Sequence, residues 1–226
     1  MATLTQDCLT RNEWICGRYF ETRGDMVLEA LQEHVLLTVI SLLAGFALAL
    51  PLAVVIHRYI RLQTPLMGLA TLIYTVPSLA MFSLLLPFTG LSATTVIVGL
   101  ALYSLTILVR GIHAGLQAVP PEARDAAIGL GYGPMRLLWK VELPLALPAL
   151  FAGLRVAAVS TVALATIGTI VGFGGLGDLL SSGLTSLFKA QVLVAAVLCV
   201  LLAFLADAVL IGLQKVMTPW ARGRAA

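Results

Sequence analysis

The chain has 226 residues, of which 60% are hydrophobic and only 11% charged, with a formal net charge of +3 and a mean hydropathy of +1.01. Soluble domains carry about 25% charged residues, so this composition excludes an ordinary soluble fold and points to a membrane protein. The positive balance sits in loops beside anionic lipid and gives no reason to expect a nucleic-acid partner.

Residues 1–33 are polar and carry six acids (Asp7, Glu13, Glu21, Asp25, Glu29, Glu33) against Arg11, Arg18 and Arg23. No apolar h-region precedes residue 35, so no cleavable signal peptide is expected and the first span serves as its own insertion signal. A helix needs about 20 largely apolar residues to cross the bilayer core. Five segments qualify, roughly 35–56, 66–88, 91–109, 145–171 and 190–213. Their apolar runs are continuous and lack the alternation of barrel strands. The expected fold is therefore an all-α polytopic membrane protein with five transmembrane helices. Its expected parts are an extracytoplasmic tail over 1–30, a transmembrane domain over 31–213 with a loop at 110–144, and a cytoplasmic tail over 214–226.

Charge sets the orientation. Arg58 and Arg61 follow the first span, Arg110, Arg124, Arg136 and Lys140 lie in the 110–144 loop, and Lys215, Arg222 and Arg224 end the chain, nine basic residues on one side. The opposite side carries Arg11, Arg18, Arg23 and Lys189. The positive-inside rule then places the N-terminus outside, the loop in the cytoplasm and the C-terminus inside. Cys8 and Cys16 would face the oxidising side, where a disulfide can form. Cys199, inside the last span, reads as a small apolar residue.

In the second span, Pro77 interrupts the helix and frees a carbonyl that Thr75 or Ser78 can help satisfy. The loop after the third span reads as two short helices. Pro120-Pro121 opens the first, Ala123, Ala126, Ala127 and Leu130 share one face, and Gly131 ends it in a left-handed conformation. Pro134 starts the second, with Leu137, Leu138 and Val141 on one side and Arg136 and Lys140 on another. An alanine-rich helix can sink close to a partner's backbone, and docking such a helix in a groove is a common recognition mode. The competing reading is an amphipathic hairpin resting on lipid. No G-x-x-x-x-G-K-[ST] phosphate loop occurs, so the chain cannot hydrolyse ATP by itself. No metal site is expected.

In the fourth span, Thr161, Ala165 and Gly168 form a small-residue stripe suited to close packing, with a second subunit as a candidate neighbour. Gly172 to Gly177 is too flexible to span and is expected to form an outer hairpin or a plain connecting turn. Arg155 and Asp207 are the charges deepest in the spans, where isolated charges are costly. They read either as a structural pair or as part of a substrate or proton path.

Asp125, Ala126 and Ala127, then Gly131, then nine residues, then Val141, Leu143 and Pro144 follow the spacing of the cytoplasmic "EAA" loop. That loop marks ABC importer permeases, and this chain resembles them with Asp where Glu is commoner. Further stretches resemble the osmoprotectant permeases: Tyr74 to Phe82, Leu102 to Leu105, Val141 to Pro148, Ala152 to Arg155 and Val171 to Asp178. The last is shared with methionine importer permeases. Arg110-Gly-Ile-His113 departs from the relatives' Arg-Asn-Thr.

The resemblance implies a permease subunit of a prokaryotic cytoplasmic-membrane importer working by alternating access. Its implied partners are a cytoplasmic ATP-binding subunit that carries ATP and Mg, a second permease subunit making a homo- or heterodimer, and an extracytoplasmic substrate-binding protein. No cofactor is expected on this chain. The implied solute is a quaternary amine such as glycine betaine, choline or carnitine, with methionine or another small metabolite as the alternative. Tyr74, Thr75, Pro77, Ser78, Tyr103 and Ser104 would then offer an aromatic, hydroxyl-rich path for a quaternary ammonium, against a reading in which they only pack and cap. From a different class, an ATP-independent secondary carrier or a membrane scaffold would show repeated halves and more intramembrane ionisable residues.

Overall fold

The computed structural model describes residues 7–220. Arg222 and Arg224, counted above in the basic tail, lie outside the described residues, as does the tail before Asp7. The described residues contain helices and turns and no strand. The helices are α1 (Arg18–Arg58), α2 (Gln63–Thr75), α3 (Ser78–Thr89), α4 (Ala93–Gln117), α5 (Pro121–Gly129), α6 (Pro134–Leu137), α7 (Leu143–Ala165), α8 (Leu176–Thr185) and α9 (Lys189–Met217). Among the described residues, four helical stretches are long and apolar enough to cross a membrane, or five if the bent pair α2 and α3 is one span.

The expected spans are present, with three corrections to their shape. First, α1 begins at Arg18, with a kink at Arg23, and α4 runs on to Gln117; the polar flank 25–34 is rich in good helix formers. Apolarity marks where a helix is in lipid, not where it ends. Second, the span expected over 66–88 is two helices bent by 98°. Val76 and Pro77 are both extended there, at ψ 126° and 138°. The proline removes a donor and disfavours helical backbone at the residue before it.

Third, the loop's second helix is not a separate element. The helical path runs without interruption from Pro134 to Val171, through a π-turn over Leu138–Glu142. Pro144 lacks the N–H that would meet the Lys140 carbonyl, and a π-turn is one way for a helix to change register around such a gap. The Gly172 to Gly177 segment, expected as a hairpin or turn, leads into an additional ten-residue helix, α8.

The chain forms two compact units. The first comprises residues 7–41, 77–100 and 160–204. Its core includes Tyr19, Leu37, Phe82, Val96, Leu100, Leu176 and Leu179. His34 is fully buried there and sits 3.2 Å from the Gly174 carbonyl and 3.0 Å from that of Val162. Thr161, Ala165 and Gly168 are buried within this unit, so the small-residue stripe packs inside the chain and does not face a second subunit. Cys8 and Cys16 form a disulfide. Its loop holds Asn12, which donates to the Leu187 carbonyl (2.8 Å) and accepts from the Lys189 N–H (2.9 Å).

The second unit comprises residues 42–76, 101–159 and 205–220. Its core joins Ala49, Ala53 and Ile56 of α1, Leu105 to Leu116 of α4, Leu138, and Leu143 to Ala157 of α7. α4 and α7 touch backbone to backbone at Gly111 and Gly153. A Cβ on Gly111 would lie 3.0 Å from the Gly153 Cα, so a side chain at either position would press on the facing backbone.

Candidate functional site

The loop helix α5 begins at two prolines. Pro120 is extended and Pro121 occupies the first turn, where its missing N–H leaves nothing unpaired. The helix ends in a Schellman turn: the Gly131 N–H meets the Ile128 carbonyl at 2.9 Å and the Tyr132 N–H meets that of Ala127 at 3.0 Å. Gly131 has φ +79°, a conformation that only glycine adopts cheaply.

One side of α5 faces its own chain and one side is open. Ala127 is its only buried residue. Asp125, Ala126, Ile128, Gly129 and Leu130 are exposed, Leu130 at 77%. Beyond the turn, Met135 and Trp139 are also exposed, with the indole N–H 3.2 Å from the Met135 sulfur. Arg136 lies 4.3 Å over the Tyr132 ring. Val141 is half-buried, Leu143 buried and Pro144 half-buried at the entry to α7. The motif residues therefore divide. Asp125 and Ala126 stay outside, Ala127 and Leu143 join the core side, and Gly131 shapes the turn between them.

Behind α5 lies an ionic cluster that sequence reasoning missed. Glu142 is 6% exposed. Its Oε1 lies 2.8 Å from Arg124 Nε of α5 and 3.4 Å from His57 Nε2 at the end of α1. Arg124 also donates through Nη2 to the Leu116 carbonyl at the end of α4 (2.6 Å). The His57 ring meets His113 of α4 edge-on, with centroids 6.4 Å apart. Beside the cluster is a mostly apolar groove of about 410 Å³, lined by Val54, Val55, Tyr59, Met135 and Leu138 with Arg58 at its rim. No sequence signal joined these residues, since Arg124 and Glu142 are separated by a turn and His57 by two spans.

At the break in the second span, the structure brings Tyr74 and Tyr103 together, edge to face with centroids 5.9 Å apart. The Tyr103 hydroxyl donates to the Val76 carbonyl, the group for which the sequence offered Thr75 or Ser78. Thr75 instead bonds the Leu72 carbonyl (2.8 Å) and Ser104 that of Ala101 (3.0 Å). Pro77 and Ser78 open α3 in the first unit. Tyr74 remains 45% exposed. Arg155 and Asp207 form a bidentate ion pair, Nε to Oδ1 at 2.6 Å and Nη2 to Oδ2 at 2.9 Å. The paired form satisfies both charges within the second unit.

Comparison with known proteins gives these features a context. Residues 41–223 match the family model described as the binding-protein-dependent transport system inner membrane component. The chain is similar to the glycine betaine/carnitine/choline transport system permease protein OpuCD of Bacillus subtilis, 35% identical over 90% of this chain and 89% of that one. It is similar to the osmoprotectant import permease protein OsmW of Salmonella typhimurium, 35% identical over 83% and 89%. Its fold matches a chain from inward-facing structures of the MetNI methionine ABC transporter, with TM-score 0.81 and 22% identity, over 88% of this chain and 99% of that one.

Proposed function

From the premise that the chain belongs to the family of binding-protein-dependent transport system inner membrane components, we propose that it is the permease of an ATP-driven importer carrying a quaternary-ammonium compatible solute. It is a multi-pass membrane protein and a transport subunit. The reading that it is a secondary carrier or scaffold falls away with family membership. The observation that carries the mechanism is α5: a helix that exposes Ala126, Ile128, Gly129 and Leu130, closed by a glycine-specific turn, on a loop bearing the importer spacing. Contiguous exposed apolar surface of this kind marks an interaction site.

In this reading α5 is the coupling helix and docks in a groove of a cytoplasmic ATPase chain, which holds ATP and Mg. The N-terminus is outside and the C-terminus inside a prokaryotic cytoplasmic membrane. A binding protein delivers solute to the outer face, and closure of the ATPase pair moves α5 so that the path opens alternately to each side. The α9 helix supports a dimer: of its most apolar window only 6% is buried within the chain, leaving a broad apolar face for lipid and a second permease subunit. The solute class rests on similarity to betaine, carnitine and choline permeases. The exposed Tyr74 ring beside Tyr103 offers an aromatic face for a quaternary ammonium.

Uptake in proteoliposomes containing the chain, its ATPase and its binding protein tests the proposal. Glycine betaine, choline or carnitine should accumulate only with ATP inside, and methionine should not. Accumulation of methionine alone would replace the solute class, and ATP-independent accumulation would refute the importer mechanism.

A further inference from the structure

The buried cluster behind α5 has a geometry that the docking role alone does not require. α5 is nine residues long and buries only Ala127. One alanine contributes little apolar anchorage, so its fastening to the spanning helices must come from elsewhere. Arg124 supplies it twice, through the Leu116 carbonyl at the end of α4 and through Glu142 at the head of α7. The same Glu142 oxygen is reached by His57 from the end of α1. A carboxylate this buried is costly unless its partner remains in place, so α5 and the head of α7 cannot part without exposing an unpaired charge, while the Leu116 carbonyl and His57 tie the ends of α4 and α1 to the same two groups.

We infer that Glu142 is a positioning residue that transmits movement of α5 to the membrane spans: its carboxylate is the counter-charge of Arg124 on α5 and the polar partner of His57 on α1, placed just before α7. This rests on the importer reading above. The outward face of α5 grips the ATPase, while the Arg124–Glu142–His57 cluster converts displacement of α5 into displacement of α1, α4 and α7. Docking and transmission thus lie on opposite sides of one short helix and are separable by mutation.

The test uses the full complex in proteoliposomes with Glu142→Gln, Glu142→Asp, Arg124→Gln and the double exchange Arg124→Glu with Glu142→Arg. Three quantities are read: ATPase retained on purification, ATP hydrolysed, and solute moved per ATP. Glu142→Gln and Arg124→Gln should retain the ATPase and hydrolyse ATP while moving at least tenfold less solute per ATP. Glu142→Asp, and in part the double exchange, should recover that ratio, which a role in folding alone would not predict. A native ratio in the two Gln variants would overturn the assignment, whatever their melting temperature. So would loss of the ATPase from Glu142→Gln, because docking and transmission would then be one site. If Glu142→Gln does not fold, the double exchange decides, and failure to regain the ratio overturns the proposal. A native chain that holds no ATPase would overturn the importer reading itself, and this role with it.

Discussion

Replacing Tyr103 by Phe removes one oxygen atom and leaves the ring that meets Tyr74. At the break between α2 and α3 the Val76 and Pro77 backbones are extended, and the Val76 carbonyl has left the helical ladder. Its partner is the Tyr103 hydroxyl, on a side chain only 4% exposed. Without that hydroxyl the part-buried Val76 carbonyl loses its partner at a break within an apolar span, at a cost of roughly 1–3 kcal/mol. For a chain of this size each kcal/mol corresponds to about 2–4 °C in melting temperature, so Tyr103→Phe should melt roughly 2–12 °C lower in detergent. Tyr74→Phe is the control. That ring is 45% exposed, and losing its hydroxyl should shift melting by less than about 2 °C, as for most surface changes. Hydrogen exchange should accelerate over 73–81 in Tyr103→Phe and stay unchanged elsewhere. Equal melting of the two variants, or a larger loss in Tyr74→Phe, would refute the claim that Tyr103 holds the break.

Packing of α4 on α7 gives a prediction with opposite signs at two glycines. Gly111→Val must push against the Gly153 backbone and should cost about 1–3 kcal/mol. Gly68→Ala on α2 meets nothing within 4 Å and should be stabilising by up to about 1 kcal/mol through helix propensity; paired thermal melts read both. Alkylation of the unreduced, denatured chain should add one label, at Cys199, and three after reduction, because Cys8 and Cys16 are joined; mass spectrometry counts them. In a cysteine-free background, Gly133→Cys should react with an impermeant thiol reagent only from the cytoplasmic side and Ser186→Cys only from the outside. The reverse pattern would invert the proposed orientation.

Much of this fold is legible in the chain because bilayer immersion imposes a coarse rule: apolar length predicts a span. Among the described residues that rule located the candidate membrane helices but not their ends, since Arg110 and Gln117 continue α4 about as readily as leucine does. Gly131 was legible because a left-handed residue after an alanine-rich run has one cheap solution. Helix α8 was not, because its Gly, Ser and Thr content resembles a loop and its burial depends on residues distant in sequence. The Pro77 break was visible while its partner was not: the carbonyl bonds Tyr103 from another helix, not its neighbours Thr75 or Ser78. Likewise Arg124, Glu142 and His57 each read as ordinary loop or helix-end charges. Only the folding of α5 against the ends of α1, α4 and α7 turns them into a cluster.

The proposed function places an ATPase chain on α5. The most direct measurement is affinity purification of the native chain and of Gly131→Pro in mild detergent, with the bound ATPase quantified. Proline cannot adopt the φ of +79° found at Gly131, so the turn that ends α5 should fail while the spans stay intact. The account predicts that the native chain retains the ATPase and the variant loses it. A well-folded native chain that brings down no ATPase, or a Gly131→Pro chain that holds it as firmly as the native one, would contradict it.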